Sequence, residues 1–355
     1  YREKEVEEFA LKIPKKSWRA DETPEFEIIS KRGTKENIVE RLVAGVSEVF
    51  EEKPRVKAAL INPKNNESQL QEGENFSFET HSPTKIKIFR PKDFRPGLYK
   101  LKIILEKNGK VYNLEQDFSW GVLAINVNKS IYSPSDTAYL QMAVLDGGGH
   151  TICNANLRLK IKSPNLKIEK EFSTGDGTIQ RSSECGANTV TNTPDYFAFY
   201  QIPNDIGVYE MIFLQLDPEG KELHKIADSF EVKDWTPFDV ERMGPTRIYP
   251  PAIYKTKFKI KANQDFVGQV IERVPEGFKI TALSIDGSSI DGSPTSINET
   301  SINGGQEIIW DVDWREGETH ELEYQFKAPD ISPYLYLLGP LRFEGKEKNL
   351  GQGIK

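Results

Sequence analysis

Residues Ala138–Val144 (AYLQMAV) carry apolar side chains at alternate positions, namely Ala138, Leu140, Met142 and Val144. The side chains of a β-strand point to opposite faces in turn, so a period of two is typical of a strand with one buried face. The same alternation recurs along the chain, between stretches rich in Gly, Pro, Asn and Asp. Further runs of this kind are Leu123–Val127, Leu157–Ile161, Ile308–Trp314 and Leu322–Ala328. Short strands at a spacing of roughly ten residues predict an all-β fold of immunoglobulin-like sandwiches.

The composition favours a folded protein and argues against a nucleic-acid binder. The chain has 355 residues, of which 37% are hydrophobic and 28% are charged, and this supports a packed core. Its 54 Asp and Glu outnumber its 47 Lys and Arg, whereas nucleic-acid binding needs an excess of basic charge. No run of about 18 apolar residues occurs, so no membrane span is predicted in this segment. The chain begins with Tyr1 rather than Met, and we interpret it as a piece or a processed form of a longer protein.

Residues 35–51 depart from the alternation. Apolar side chains here recur at intervals of three and four, which is the spacing of an amphipathic helix. Thr34 can cap the first turn, and Pro54 prevents continuation. Because strand-like runs flank this segment, we predict one helix inserted into the first sandwich. It either covers an open end of that sandwich or offers an apolar face to a partner or a membrane surface.

Two Trp-bearing segments divide the chain. Phe118–Gly121 and Val232–Pro237 each follow a strand rich in Phe and Val, and we expect Trp120 and Trp235 to wedge between neighbouring domains. Cuts at these points give domains close to the roughly 100 residues of one immunoglobulin-like sandwich. The predicted domains are 1–120 with the inserted helix, 121–235 and 236–345, followed by a tail at 346–355.

An internal echo supports this division. Gly97-Leu98-Tyr99 precedes the first of these segments, and Gly207-Val208-Tyr209 precedes the second at a similar distance. A Gly-x-Tyr entering a late strand is the arrangement of a tyrosine corner, in which the phenol hydroxyl bonds back to the backbone and pins a crossover. Tyr99 and Tyr209 are therefore predicted to be architectural.

The middle segment carries a resemblance to a known family. Asn126–Pro134 (NVNKSIYSP) and Leu140–Asp146 are similar to the second domain of alpha-macroglobulins, in which Asp-Lys or Asn-Lys followed by Ile-Tyr-x-Pro-Gly opens the first strand; here Ser135 stands in place of that Gly. The resemblance implies a macroglobulin-like sandwich. That family traps proteases through a Cys-Gly-Glu-Gln thioester in a separate domain, and Cys185–Asn188 (CGAN) lacks the Glu and Gln. The resemblance therefore implies the fold without the trap.

The third segment and the whole chain resemble surface proteins. Val270–Phe278 (VIERVPEGF) and Trp310–Glu318 resemble a repeat domain of unknown function from bacterial and archaeal surface proteins. Trp120–Asn126, Glu241–Pro251 and Ala328–Pro340 resemble parts of large secreted proteins of ultra-small uncultivated bacteria. These resemblances imply an extracellular or cell-envelope location, with an anchor outside this segment.

Cys153 and Cys185 are the only cysteines, and both lie in the predicted middle domain. One interpretation is a disulfide that staples the polar loop between Gly175 and Pro194, and the loop-entropy model values such a bond at roughly 3 kcal/mol. The alternative is a pair of reduced cysteines that only pack. The extracellular context favours the disulfide.

No motif in the chain indicates catalysis. A nucleophile elbow, a phosphate-binding loop and a dinucleotide fingerprint are all missing, and His320–Tyr324 (HELEY) lacks the second His of a zinc-protease helix. Asp286–Ser293 is either a solvated hairpin loop or an incomplete calcium loop, without the Glu that completes one. We therefore predict no catalytic, cofactor-binding or metal-binding residues, and we expect the chain not to be an enzyme.

The leading hypothesis is a non-catalytic structural module, a stalk or adhesin segment that spaces or presents a binding element. Its partners would be other surface-protein modules or cell-surface polysaccharides. A second hypothesis is a ligand-binding module for a polysaccharide or host protein, using the outward-facing half of Tyr196, Phe197, Phe199 and Tyr200. A third is the accessory arm of a larger secreted enzyme.

Overall fold

The computed structural model describes most of the chain in several ranges. These are residues 9–30, 55–79, 84–91, 94–107, 109–165, 169–186, 189–248, 252–275, 277–286, 288–289, 295–299, 306–327 and 341–345. These residues form strands, turns and loops, and contain no helix. Accordingly, none of them belongs to a helix long and apolar enough to cross a membrane. The helix predicted over 35–51 lies outside the described residues.

The chain divides into two compact units. One consists of residues 1–123, 144–152 and 222–226, and the other of residues 124–143, 153–221 and 227–355. The first unit contains the two sheets built by the first nine strands, and the other four sheets belong mainly to the second unit. In chain order the sheets form three successive pairs. The prediction of an all-β fold of tandem immunoglobulin-like sandwiches is confirmed, while the domain boundaries at about 120 and 235 stay predictions.

The first sandwich pairs a sheet of order β1-β3-β7-β6 with a sheet of order β2-β9-β8-β4-β5. Strand β2 runs parallel to β9, and the other neighbouring strands of these two sheets are antiparallel. Phe26, Ile86 and Phe118 lie in its core. The strands are β1 Phe9–Lys12, β2 Ser17–Trp18, β3 Glu25–Ser30, β4 Arg55–Ile61, β5 Glu67–Leu70, β6 Phe76–Glu79, β7 Lys85–Ile88, β8 Gly97–Lys107 and β9 Lys110–Trp120.

The second sandwich repeats this topology strand for strand. Its sheets have the orders β10-β12-β16-β15 and β11-β18-β17-β13-β14, and the short β11 again runs parallel to the last strand, β18. Ala138, Leu140 and Met142 are fully buried, as the alternation predicts. The strands are β10 Leu123–Val127, β11 Ile131–Tyr132, β12 Thr137–Val144, β13 Asn156–Lys162, β14 Glu169–Ser173, β15 Gln180–Arg181, β16 Tyr196–Gln201, β17 Gly207–Leu216 and β18 Glu222–Val232.

The third sandwich has a different strand order. Its sheets are β19-β20-β26-β22-β23 and β24-β25-β21-β27, and all neighbouring strands in them are antiparallel. Phe258, Trp310 and Tyr324 are buried between them. The strands are β19 Phe238–Met243, β20 Ile253–Ala262, β21 Phe266–Val274, β22 Lys279–Ile285, β23 Ser288–Ser289, β24 Thr295–Glu299, β25 Gln306–Trp314, β26 Thr319–Lys327 and β27 Leu341–Gly345.

Candidate functional site

Both predicted tyrosine-corner residues make the same hydrogen bond. The buried Tyr99 donates its hydroxyl to the Arg95 carbonyl at 2.5 Å, and Tyr209 donates to the Asp205 carbonyl at 3.0 Å. Each accepting carbonyl lies four residues before its tyrosine. Gly207 has a φ of 129°, and a Cβ there would lie 2.8 Å from the Pro164 ring, so the close approach requires glycine. Burial raises the pKa of Tyr209. Both phenols are thus buried and bonded to the backbone, which is the geometry of a tyrosine corner.

The two Trp residues chosen as domain wedges lie in different environments. Trp120 is fully buried, with its ring centroid 4.8 Å from that of Phe94 and 5.6 Å from that of Tyr99, and its Nε1 donates to the Glu22 carbonyl at 3.1 Å. It therefore belongs to the core of the first sandwich. The side chain of Trp235 is 59% exposed. The wedge role of the two rings stays a prediction.

Cys153 and Cys185 are joined by a disulfide bond, with their Cα atoms 5.8 Å apart. The bond ties the segment before β13 to the loop between β15 and β16. That loop, residues 182–195, is closed at its ends by a hydrogen bond from the Ser182 amide to the Asp195 carbonyl at 2.9 Å. Inside it, hydroxyls donated by Thr191 and Thr193 lower the pKa of the Glu184 carboxyl. We call the described residues of this segment, 182–186 and 189–195, the disulfide loop.

The disulfide loop encloses the side chain of Arg247, which is only 1% exposed. Arg247 Nε lies 3.0 and 2.8 Å from the two carboxylate oxygens of Asp195. Its Nη1 donates to the Thr189 carbonyl at 3.1 Å, and its Nη2 donates to the Gly186 carbonyl at 2.9 Å. Burial raises the pKa of Asp195, and the arginine opposes that shift. A guanidinium needs such a set of acceptors because it stays charged when buried.

A second set of contacts joins the opening of the second sandwich to strand β19. Lys129 Nζ lies 2.9 Å from Asp239 Oδ2 and 3.1 Å from Asp136 Oδ2. Asn128 Nδ2 donates to Glu241 Oε1 at 2.9 Å, and its backbone carbonyl accepts from the Arg242 amide at 2.8 Å. Burial lowers the pKa of Lys129, but the two aspartates outweigh it and raise the pKa overall. Together with the Arg247 contacts, these bonds form what we call the joint between the second and third sandwiches.

Strand β19 also carries Arg242, whose side chain packs within the third sandwich. Arg242 Nη2 donates to Glu272 Oε2 at 2.8 Å, and the guanidinium lies 4.8 Å from the centroid of the Phe258 ring. Glu272 is fully buried, and Tyr324 donates its hydroxyl to Glu272 Oε1 at 3.1 Å. Burial raises the pKa of Glu272, and Arg242 and Tyr324 only partly offset it. The side chain of Arg242 remains 29% exposed, so it can also reach water.

Three aromatic rings cover part of the outer face of the sheet that contains β12 and β16. Tyr139 lies opposite Phe199 in the register, with ring centroids 5.2 Å apart, and Phe197 completes the cluster at 5.9 Å from both rings. Phe199 is 56% exposed, whereas Tyr196 and Tyr200 point into the core. We call these three residues the aromatic strip.

Metal-binding geometry is not found in the part of the chain that the structure describes, which holds no suitable group of three or more His, Cys, Asp or Glu. Asp286, the first residue of the calcium-loop alternative, is already bonded through both carboxylate oxygens. One lies 2.9 Å from His320 Nδ1, and the other accepts from the Glu321 amide at 2.7 Å. Most of the following residues up to Ser293 lie outside the described part.

Sequence reasoning missed Asp195 and Arg247. Asp195 directly follows the polar loop that ends at Pro194, and Arg247 lies in the stretch Glu241–Pro251, which the sequence marked for another reason. The available signal was an arginine in a Gly-Pro turn segment that has no alternation of its own. Such an arginine predicts an exposed loop residue, and only the position of Asp195 in the fold shows that it is buried.

No family model and no curated protein matches this chain. Among solved structures, the chitinase ChiA74 from Bacillus thuringiensis is similar over 63% of this chain and 29% of its own, at 12% identity and a TM-score of 0.20. The native conformation of E. coli alpha-2-macroglobulin is similar over 91% of this chain and 21% of its own, at 10% identity and a TM-score of 0.21. This chain therefore spans less than a third of either protein. Overlaps this low carry no argument about function.

Proposed function

We propose that this chain is a non-catalytic structural module of an extracellular or cell-surface protein, a stalk or adhesin segment that holds other parts at a fixed spacing. The observation that carries the proposal is the joint, in which Arg247 lies buried in the disulfide loop of the preceding sandwich. A buried charge with a full set of partners resists displacement, because moving it exposes unpaired acceptors and an unpaired carboxylate. Two sandwiches joined in this way transmit position and force as one body.

Two further features support this proposal. The disulfide between Cys153 and Cys185 suits an oxidising compartment outside the cytoplasm. The first two sandwiches have the same strand order, and this repetition suits a module of a repetitive surface protein. The partners of such a module are neighbouring modules of the same surface protein, and its anchor lies elsewhere.

The test is whether the second and third sandwiches tumble together in solution. Nitrogen-15 relaxation of the full, oxidised chain gives a rotational correlation time for amides in β13 and β17 and another for amides in β20 and β26. We expect the two values to agree. Clearly different values mean that the sandwiches move independently, and the spacer function is then rejected.

A second candidate function, recognition of a neutral polysaccharide, rests on the aromatic strip. A cluster of aromatic side chains on a solvent-facing sheet surface is typical of a ligand-binding site. The apolar face of a sugar ring packs against aromatic rings, and amide side chains bond to its hydroxyls. Gln201 supplies one such amide, since it is exposed and lies on the same face as Phe197 and Phe199 in the register. Its side chain bonds to the Ser135 carbonyl and the Thr137 hydroxyl, which fixes its position.

Affinity electrophoresis through gels that contain neutral polysaccharides tests this candidate. Retardation of the unchanged protein, lost in the Phe197→Ala/Phe199→Ala double variant, is the expected result. Val208→Ala is the matched control, because Val208 is an equally exposed apolar residue elsewhere in the same sandwich. Equal migration of all three proteins in every gel removes the candidate.

A further inference from the structure

The seat of Arg247 depends on the shape of the disulfide loop. The guanidinium bonds to three groups of this loop, the Asp195 carboxylate and the carbonyls of Gly186 and Thr189. Two of them are backbone carbonyls, whose direction is set by the course of the chain and cannot be restored by a change of side-chain rotamer. A modest change in the loop therefore removes bonds from a buried charge.

The disulfide lies directly beside one of these acceptors. Cys185 precedes Gly186, so the covalent bond to Cys153 restrains the chain one residue before the accepting carbonyl. The chain is tight here, because a Cβ on Gly186 would lie 2.5 Å from the Thr189 hydroxyl oxygen. In the described part of the loop, Val190 is exposed and Glu184 is held mainly through hydroxyl groups. Besides the two ends of the chain, the disulfide ties the loop covalently to the segment before β13.

The two sulfurs and the guanidinium differ in their access to solvent. Cys153 and Cys185 are half-buried, whereas Arg247 and Asp195 are fully buried. A small reductant can thus reach the bond from outside while the ion pair remains shielded from water. Chemistry at the surface of the loop is in this way linked to a contact beneath it.

We propose that the Cys153–Cys185 disulfide is a redox-operated latch on the joint between the second and third sandwiches. When it is oxidised, the loop keeps the shape that receives Arg247; when it is reduced, the loop relaxes and the third sandwich is released from the second. A dithiol reductant supplies two electrons and two protons, the sulfur–sulfur bond breaks to give two thiols, and the reductant becomes a cyclic disulfide. This inference rests on the proposed spacer function, because it identifies what controls the stiffness of the same joint.

Two backbone amides report on the two ends of the mechanism. The Ser182 amide bonds to the Asp195 carbonyl within the loop, and the Arg242 amide bonds to the Asn128 carbonyl across the joint. Hydrogen exchange at both sites is measured by NMR on the full chain, before and after reduction with dithiothreitol and again after reoxidation. Amides shared between β13 and β17 serve as the reference for an intact second sandwich.

We expect reduction to speed exchange at both reporters at least tenfold, to leave the reference amides unchanged, and to be reversed by reoxidation. Faster exchange at Ser182 alone separates the loop from the joint and overturns the proposal. Unchanged exchange at both reporters overturns it as well, because the loop then keeps its shape without the bond. Faster exchange in the reference amides too means that the sandwich unfolds, which is no latch.

Two variants give an independent check. Cys153→Ser/Cys185→Ser should reproduce the reduced state without any reagent, and dithiothreitol should then have no further effect. Arg247→Lys keeps the charge but lacks the fork, so it should speed exchange at Arg242 even in the oxidised protein. If the oxidised protein already tumbles as two bodies, the spacer function fails; if the reduced protein still tumbles as one body, only the latch fails.

Discussion

Arg242 and Arg247 leave the same short segment and each ends in an ion pair with a buried carboxylate, yet the two pairs differ in what else surrounds the guanidinium. Arg247 is sealed, and it bonds to the Asp195 carboxylate and to two carbonyls of the disulfide loop. Arg242 bonds to Glu272, covers the face of the Phe258 ring and keeps a part of its side chain in water. The first pair joins two sandwiches, and the second lies within one.

The two pairs show that the free-energy cost of breaking an ion pair depends on what each member can do once its partner is removed. Arginine cannot lose its charge in a protein, so a sealed arginine without its carboxylate is an uncompensated buried charge. An arginine at the surface can exchange its partner for water. A carboxylic acid has a further option, since it can take up a proton when burial raises its pKa.

The largest expected effect is that of Asp195→Asn. The substitution keeps the shape of the side chain but leaves Arg247 without an anionic partner, and we expect a loss of about 3–5 kcal/mol. The free energy of opening is read from the hydrogen exchange of amides in β16 and β17. A loss below about 1 kcal/mol would show that the backbone carbonyls of the loop alone are sufficient for the guanidinium.

Lys129→Met tests the other ion pairs of the joint and should have a smaller effect. Lys129 is mostly buried beside Asp136 and Asp239, but both aspartates reach solvent. We expect a loss of about 1 kcal/mol, and we expect it to shrink in molar salt, because partly exposed pairs are screened. The measurement is hydrogen exchange at the Arg242 amide, which bonds to the Asn128 carbonyl across the joint. An effect as large as that of Asp195→Asn would contradict the comparison.

The smallest effect is expected from Glu272→Gln. The amide oxygen can still accept from Tyr324, and Arg242 can turn to water, so the change in stability at pH 7 should be within about 1 kcal/mol and can be a gain. The pH dependence gives the sign. Because burial raises the pKa of Glu272 in the folded protein, the folded state binds the proton more readily than the unfolded state does. The free energy of unfolding therefore falls as the pH rises from the pKa of the unfolded chain, about 4.3, through the pKa of the folded protein.

Urea denaturation between pH 4 and pH 7, followed by hydrogen exchange of amides shared between β20 and β26 of the third sandwich, checks this sign. The variant should gain on the unchanged protein as the pH rises. A relative loss at pH 7 would mean that the charged pair with Arg242 contributes net stability, and that the two pairs behave alike.

Local signals in the sequence predicted the all-β fold and its repetition well. The alternation at Ala138, Leu140 and Met142 marks the buried face of β12, and the outward positions of Phe197 and Phe199 follow from the same rule. The two Gly-x-Tyr sequences point to the repeated corner, and the two sandwiches that contain them share one strand order. Such signals succeed because they depend on neighbours in the chain and on strand geometry alone.

The assignment of Trp120 and Trp235 as wedges shows where local signals stop. Both residues follow a strand rich in Phe and Val, and yet one fills a core and the other lies mostly in solvent. The position of a residue at the end of a strand does not say which surface it meets. Burial depends on what the rest of the chain brings to that position.

Alternation, turn residues and composition are properties of the chain, and they were sufficient to predict the class of fold, the repeated corner and the candidate cysteine pair. The folded structure was needed to show that Arg247 meets Asp195, which lies 52 residues earlier in another sandwich. It likewise decided that Glu272 is buried beside Arg242 while Lys129 bridges two aspartates. A charge carries no mark of its partner in the chain, since the partner is selected by the packing that removes both from water.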